Sequence, residues 1–538
     1  MSLFSKYKLL AIISFLFFTC QNEPVQCDLL IYNGTIYDGT GSDPYVGSIG
    51  IADDKIIYVG ENTRFEADTI IDATELSVSP GFINMLSWAY SSLMEDGRSL
   101  SDLKQGVTLE VFGEGVSPGP YVKDGKRHSF KEAMEALENN GVSTNIASFL
   151  GATTARMMEV GFENRPATKK EMQRMREMVR RSMDEGAMGI GSSLIYAPAD
   201  YAPTEELVEL CRAAAEKGGM YISHMRNEDN LLMEALEELI TISREANIPA
   251  EIYHLKASRE ANWHMLDSLI KRVEQVREEG LEITADIYTY NASSTGLTGV
   301  IPTWVQEGGH RAWINRMKDP KIRPRLLNDI RKQLAEQPPE GILMVGFNNP
   351  EMSKKYLAKT IAEAANTRGQ SPEEAIVDMV IEDDSRIQCI YFSMSEENIR
   401  KKIQLPWVSF CSDAGSYSDI SKSFKTHPRA FGSFIRVLGK YSRDEKLISL
   451  AEAVRKLSGL PAKNLKIKKR GLLKEGYFAD LVMFDANKVN DSATFDEPLK
   501  FSTGVAHVVV NGTPVLLNSK HTNKFTGRYI KGPGYREQ

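Results

Sequence analysis

Apolar and polar positions change rhythm twice along this chain. Residues 28–79 alternate over short runs, "DLLIYNGTIYDG", "VGSIGIADDKIIYVG" and "TIIDATELSVSPG", broken by Asn-Gly, Asp-Gly and Asp-Asp. A period of two with such breaks predicts hairpins. Near the other end "GYFADLVMFD", "VAHVVVNGTPVLL" and "TGRYIKGPG" read the same way. Between them the rhythm differs. Short apolar runs recur as "GFINML", "TLEVFG", "STNIASFLG", "GAMGIGSSL", "MYISHM", "AEIYHLK", "EITADIY" and "WVSFCSD". Many are separated by stretches such as "KEMQRMREMVRRSM" and "HMLDSLIKRVEQVREE", where Met, Leu or Val returns every three or four residues. That spacing, with charges on the other face, predicts amphipathic helices.

Eight strands alternating with helices predict an α/β fold of the (β/α)8 barrel type over residues 80–461. The seventh and eighth strands lie far apart, and residues from about 296 to 355 read as an inserted lobe. The extreme N-terminus has another character. Lys6 and Lys8 precede the apolar run "LLAIISFLFFTC", which is too short to span a bilayer and fits a signal peptide over residues 1–20. Cys20, followed by polar "QNEP", resembles the lipid-modified cysteine of bacterial lipoproteins. An exported protein, periplasmic or anchored to a membrane by lipid, is expected.

Composition narrows the picture a little. A chain of 538 residues, 42% hydrophobic, buries a sizeable core in more than one domain. A net charge of −7 offers none of the basic excess that nucleic-acid binding favours. Cys27, Cys211, Cys389 and Cys411 are widely spaced with no Cys-x-x-Cys pair, so buried free thiols are expected rather than a zinc knuckle. No interface pattern marks an oligomeric state.

Catalytic residues of such a barrel sit at the C-terminal ends of its strands. The second strand ends at Glu114, the fifth at His224, the sixth at His254 and the eighth at Asp413. Tyr196 follows the fourth and Tyr288 ends the seventh. Two histidines and two carboxylates at four strand ends suit one zinc ion, which takes imidazole nitrogen and carboxylate oxygen. Each residue also has a plainer reading. Glu114 can cap a turn, Asp413 a helix, and a lone His is commonly a hydrogen-bonded core residue. The chain has eight His, however, and two fall at consecutive strand ends.

The words "YDGTGSDP", "VSPGFI", "KQGVTLEVFGEG", "GIGSSLIYAPADYAPTEELVEL", "SHMRNE", "YHLKAS", "ADIYTYNASSTGL", "FCSDAG", "HPRAFGSFIRVLGKY" and "AVRKLSGLPAKNLKIKKRGLLKEGYFADLVMFD" follow one another in order. With them the sequence resembles the D-aminoacylase branch (N-acyl-D-amino-acid deacylases) of the amidohydrolase superfamily. The resemblance implies a small β-sandwich built from both chain ends, 27–79 and 462–536. It implies metal ligation by His224 and His254, with Glu114 standing where many members have a metal-binding Cys. It also implies Asp413 as the catalytic acid–base, and Tyr196, Lys256, Tyr288, Ser294 and Arg429 near the substrate's carboxylate and acyl amide.

One stretch departs from the family. In "PGFINMLSWA" the strand-one His-x-His is replaced by Leu86-Ser87-Trp88. Leu carries no ligand atom and the indole is only a donor. One Zn2+ per chain is therefore expected, with Trp88 as an apolar wall, and manganese or iron would fit the same ligands. The expected activity is one-metal hydrolysis of a linear amide, most simply of an N-acyl-D-amino acid as a small-molecule substrate. Dipeptidase- or hydantoinase-like hydrolysis and a non-catalytic binding protein are the alternatives.

Overall fold

The computed structural model describes residues 24–61, 64–421 and 425–537. The expected signal peptide and Cys20 lie outside them. All eight expected barrel strands form, and they are numbered β1 to β8 here. They are Phe82–Asn84, Val107–Phe112, Asn145–Ser148, Gly189–Ser193, Met220–His224, Ala250–Ile252, Ile283–Ile287 and Val408–Phe410. Neighbours pair in parallel from β1 through to β8, with β3 reaching β4 through Leu150–Gly151. The ring closes beyond β8: Asp413 N–H donates to Leu86 O at 2.9 Å, and Ser87 bridges to Ala414. The Asn84 side chain seals the seam by donating to Ser412 Oγ and accepting from Ser412 N–H.

Strand alternation sorts the core into two shells. Ile146, Ile190 and Tyr221 face the surrounding helices. Ala147, Met188 and Ile222 fill the barrel interior. The helices form where the apolar period is three to four. Lys169–Asp184 buries Met175, Met178, Val179 and Met183. It starts at a capping box in which Thr168 and Glu171 each satisfy the other's backbone N–H. Among the described residues no helix is long and apolar enough to cross a membrane.

Both chain ends join one sheet. Leu481–Phe484 runs antiparallel to Ser77–Pro80, which links the N-terminal strands to Val505–Val510 and Thr513–Leu517. Its core includes Leu29, Ile49, Ile51, Leu481 and Val509. The final segment departs from the expected range of 462–536. It leaves the sheet and lies along β3, where Ile146 N–H donates to Arg528 O and Ile530 N–H to Ile146 O. Buried backbone groups of β3 that no neighbouring strand pairs need these partners.

The lobe between β7 and β8 has a core of its own, running from Leu297 to Tyr391. It therefore extends past the expected boundary near 355. The reason is its sheet. Gln388–Tyr391 is the central strand, antiparallel to both Ser293–Gly296 and Ile342–Gly346. Cys389 is in that strand and Cys211 in helix Thr204–Ala215, and all four described cysteines are buried and free.

Candidate active site

Local backbone chemistry aims each side chain at the barrel mouth. Glu114 stands between two glycines with positive φ, Gly113 at 110° and Gly115 at 70°. A Cβ at Gly113 would come within 2.4 Å of Phe149 O, and one at Gly115 within 2.7 Å of Ser193 Cβ. Only glycine allows this turn, which swings the carboxylate inward. His224 continues the inward-facing series Met220, Ile222. His254 does not follow from alternation, because Ile252 faces out and Tyr253 faces in. A φ of +34° at His254 breaks the strand and redirects the ring. Asp286 Oδ1 holds the bend by accepting His254 N–H at 2.8 Å. Asp413 also has positive φ, 49°. Such conformations cost about 1–3 kcal/mol each in a non-glycine residue, so the surrounding hydrogen bonds must impose them.

The side chains converge. Glu114 Oε1 accepts from His224 Nδ1 at 2.8 Å and from His254 Nε2 at 3.1 Å. One candidate ligand atom from each of the three residues lies within 4.8 Å of the other two, and all three residues are buried. Burial alone would raise the Glu114 pKa, but hydrogen bonds from the two histidines hold it well below the usual carboxylate range. Burial and Lys256 work against a charged His254, yet Glu228 and Glu114 raise it to about 10.

Glu228 was not singled out from the sequence, although it lies in the word "SHMRNE". Its carboxylate meets the opposite side of both rings, 3.3 Å from His224 Nε2 and 3.1 Å from His254 Nδ1. It also accepts from Lys256 Nζ at 2.6 Å, and the same Nζ lies 2.6 Å from His254 Nδ1. Burial favours the neutral acid, but His224 and Lys256 carry its pKa well below normal.

Asp413 faces the trio from β8. Its Oδ2 pairs with Arg429 Nη1 at 2.7 Å. Burial raises its pKa and the Arg429 charge opposes the rise. The guanidinium lies 4.5 Å from the Tyr288 ring centroid and donates from Nη2 to Ser294 O at 3.3 Å. Arg429 Nε is buried without a hydrogen-bond partner among the described residues. His427, also missed from the sequence, steadies this arginine. Its Nδ1 accepts Arg429 N–H while its Nε2 donates to Ala292 O. Burial and the arginine's charge keep it neutral, its pKa well below normal.

The remaining sequence candidates line the same cleft of about 1290 Å3 between barrel and lobe. Tyr196 donates to Thr295 Oγ1 at 2.8 Å and packs edge-on to His224. Tyr288 hydroxyl contacts Met394 sulfur, and Ser294 Oγ donates to Cys389 O. Trp88 is not the dry wall expected. It is 48% exposed, and its indole N–H donates to Glu114 Oε2 at 2.9 Å and to Asp413 Oδ1 at 3.2 Å. Leu86 is wholly buried beneath it.

The D-aminoacylase of Alcaligenes xylosoxydans xylosoxydans is 30% identical over 525 residues, covering 95% of this chain and 99% of that protein. The structure of N-acyl-D-glutamate deacylase from Bordetella bronchiseptica, complexed with zinc and a phosphonate mimic of the tetrahedral intermediate, is 27% identical. It covers 94% of this chain and 100% of that one, with a TM-score of 0.79. A D-aminoacylase structure addressing one-metal activation and second-metal attenuation in its binuclear centre is 28% identical. It has a TM-score of 0.78 and the same coverage, 94% and 100%. Residues 69–516 match the amidohydrolase family. With its barrel, its appended β-sheet and its carboxylate–histidine cluster at the strand ends, the chain belongs to the amidohydrolase family.

Proposed function

We propose that this chain is a metal-dependent N-acyl-D-amino-acid deacylase working with one divalent cation, for which zinc is the best fit. The observation that carries the reading is the convergence of Glu114, His224 and His254, with Asp413 and Arg429 beside them. Two imidazole nitrogens and a carboxylate oxygen turned toward one point suit zinc. Glu228 on the far side of both rings fixes their orientation, as outer carboxylates do around metal-ligating histidines. A cation held there would supply Lewis acidity and acidify water.

The protein's own groups do the rest. Asp413 takes a proton from the attacking water and returns it to the leaving amine. Its raised pKa suits a base that must give the proton back. Arg429 is the fork for the amino-acid carboxylate, since its buried Nε is free to donate. Lys256 adds positive charge from the other side while its ammonium steadies Glu228. Tyr196 is kept protonated by burial, and its hydroxyl would have to turn from Thr295 Oγ1 to donate to the acyl group.

The relatives act on N-acyl-D-amino acids, N-acyl-D-glutamate and N-acyl-D-aspartate by name, which supports this substrate class here. The test is a panel of N-acyl-D-amino acids, D-dipeptides and cyclic amides, with zinc measured on the same sample. Turnover of N-acyl-D-amino acids that disappears in His224→Ala together with the metal is expected. Full activity in metal-free protein would overturn the reading. The basic-then-apolar N-terminus ending in Cys20 supports an exported lipoprotein. Cys20→Ser should then move the protein out of the membrane fraction.

A further inference from the structure

The end of β1 carries a group that the mechanism above does not use. Ser87 and Trp88 follow the buried Leu86, and their backbones are tied down: Ser87 N–H donates to Val111 O and Trp88 N–H to Ala414 O. The Trp88 backbone is thereby fixed, and its side chain lines the cleft. Its Nε1–H is shared between Glu114 Oε2 and Asp413 Oδ1. Each carboxylate spends its other oxygen elsewhere. Glu114 Oε1 meets the two histidines, and Asp413 Oδ2 meets Arg429. One neutral donor thus sits between the two oxygens that these acids turn toward each other.

Two facing carboxylate oxygens form half of a cation site. Something positive must lie between them, or they repel. An indole N–H supplies that polarity without charge. It has no lone pair to offer a metal and no proton to lose in the working range. It therefore satisfies both acids and gives an ion nothing to bind.

We propose that Trp88 is a positioning residue. Its indole N–H holds Asp413 at a fixed separation from Glu114 and, by taking Oε2 and Oδ1, restricts the site to a single divalent cation. The roles of Asp413 and Glu114 come from the function proposed above. The ring itself need not touch the reacting atoms.

Trp88→Phe keeps an aromatic side chain but removes the N–H together with the five-membered ring that carries it. The decisive measurement is zinc per chain, by elemental analysis after equilibrium dialysis at low and at high free Zn2+. It needs no substrate, so it stands apart from whether N-acyl-D-amino acids are turned over. The wild-type chain should stay at one ion in both conditions. W88F, with Glu114 Oε2 and Asp413 Oδ1 released, should take up a further ion at high zinc. On a turned-over substrate W88F should lose about tenfold in kcat with KM unchanged, as expected when a reacting group loses one charge-assisted hydrogen bond but binding stays intact. A wild-type chain that takes up two ions overturns the proposal, even if W88F does not fold. So does a folded W88F whose zinc content matches the wild type at both concentrations, whatever its turnover.

Discussion

His224 and His254 each meet a carboxylate on both sides of the ring, Glu114 on one and Glu228 on the other. The two acids have different work. Glu114 turns inward from a glycine-flanked bend, whereas Glu228 reaches back from the loop after β5 and is also bound to Lys256. Glu228→Gln keeps the shape and removes the charge that orients both rings. Metal affinity should fall about 10–100-fold, read by competition with a chelating dye. An unchanged affinity would take Glu228 out of the supporting role. The sequence could be read as far as the strand ends, because run length locates them, and His224, His254 and Asp413 were legible on that ground, whereas the positive φ that turns His254 inward was not. Glu228 was not, since nothing local says which loop residue folds back four positions after a ligand. Trp88 was legible as a donor without lone pairs. Only the fold could bring Glu114 and Asp413 together under its N–H, because they are 299 positions apart, from 114 to 413.

At the scale of elements, β8 depends on the helix before it. Glu396–Gln404 ends with carbonyls directed at Lys456, whose Nζ donates to Ile403 O and to Leu405 O, the latter at 2.7 Å. A lysine is a favourable partner for a helix C-terminus, but this one is buried, and burial pushes its pKa down to about 7. An unfolded lysine titrates near ~10.4. From pH ~7 to ~10.4 the unfolded chain therefore binds a proton that the folded chain does not, and stability rises with pH over that window. Lys456→Met removes this contribution. The urea midpoint of the wild type should climb relative to K456M between pH 7 and 10, and parallel curves would show that the amine is not titrating there. The strands and amphipathic helices were readable because their patterns are local. The reach of the lobe was not, since its central strand at Gln388–Tyr391 pairs with partners around 294 and 343. The course of the C-terminal tail along β3 is equally long-range.

Across the whole molecule the cluster gathers residues that lie far apart in the sequence onto one rim of the barrel. Glu114 comes from the end of β2, His224 from β5 and His254 from β6, while Asp413 follows β8 at the seam with β1. A cation held by the first three binds the folded barrel and has no equivalent site in the unfolded chain. By mass action it should stabilise the fold by RT ln(1 + [L]/Kd), about 4 kcal/mol at a thousandfold excess over Kd. Removing it should not collapse the barrel. The barrel is held by its strand pairing and its buried apolar core, to which a cation at the rim adds nothing. Protein dialysed against a strong chelator should therefore keep its circular dichroism spectrum and melt at a lower temperature, recovering when zinc is restored. His224→Ala, which breaks the ligand set, should melt at the same temperature with or without zinc. If the wild type also melted identically in both conditions, the three residues would be a hydrogen-bonded cluster and not a metal site.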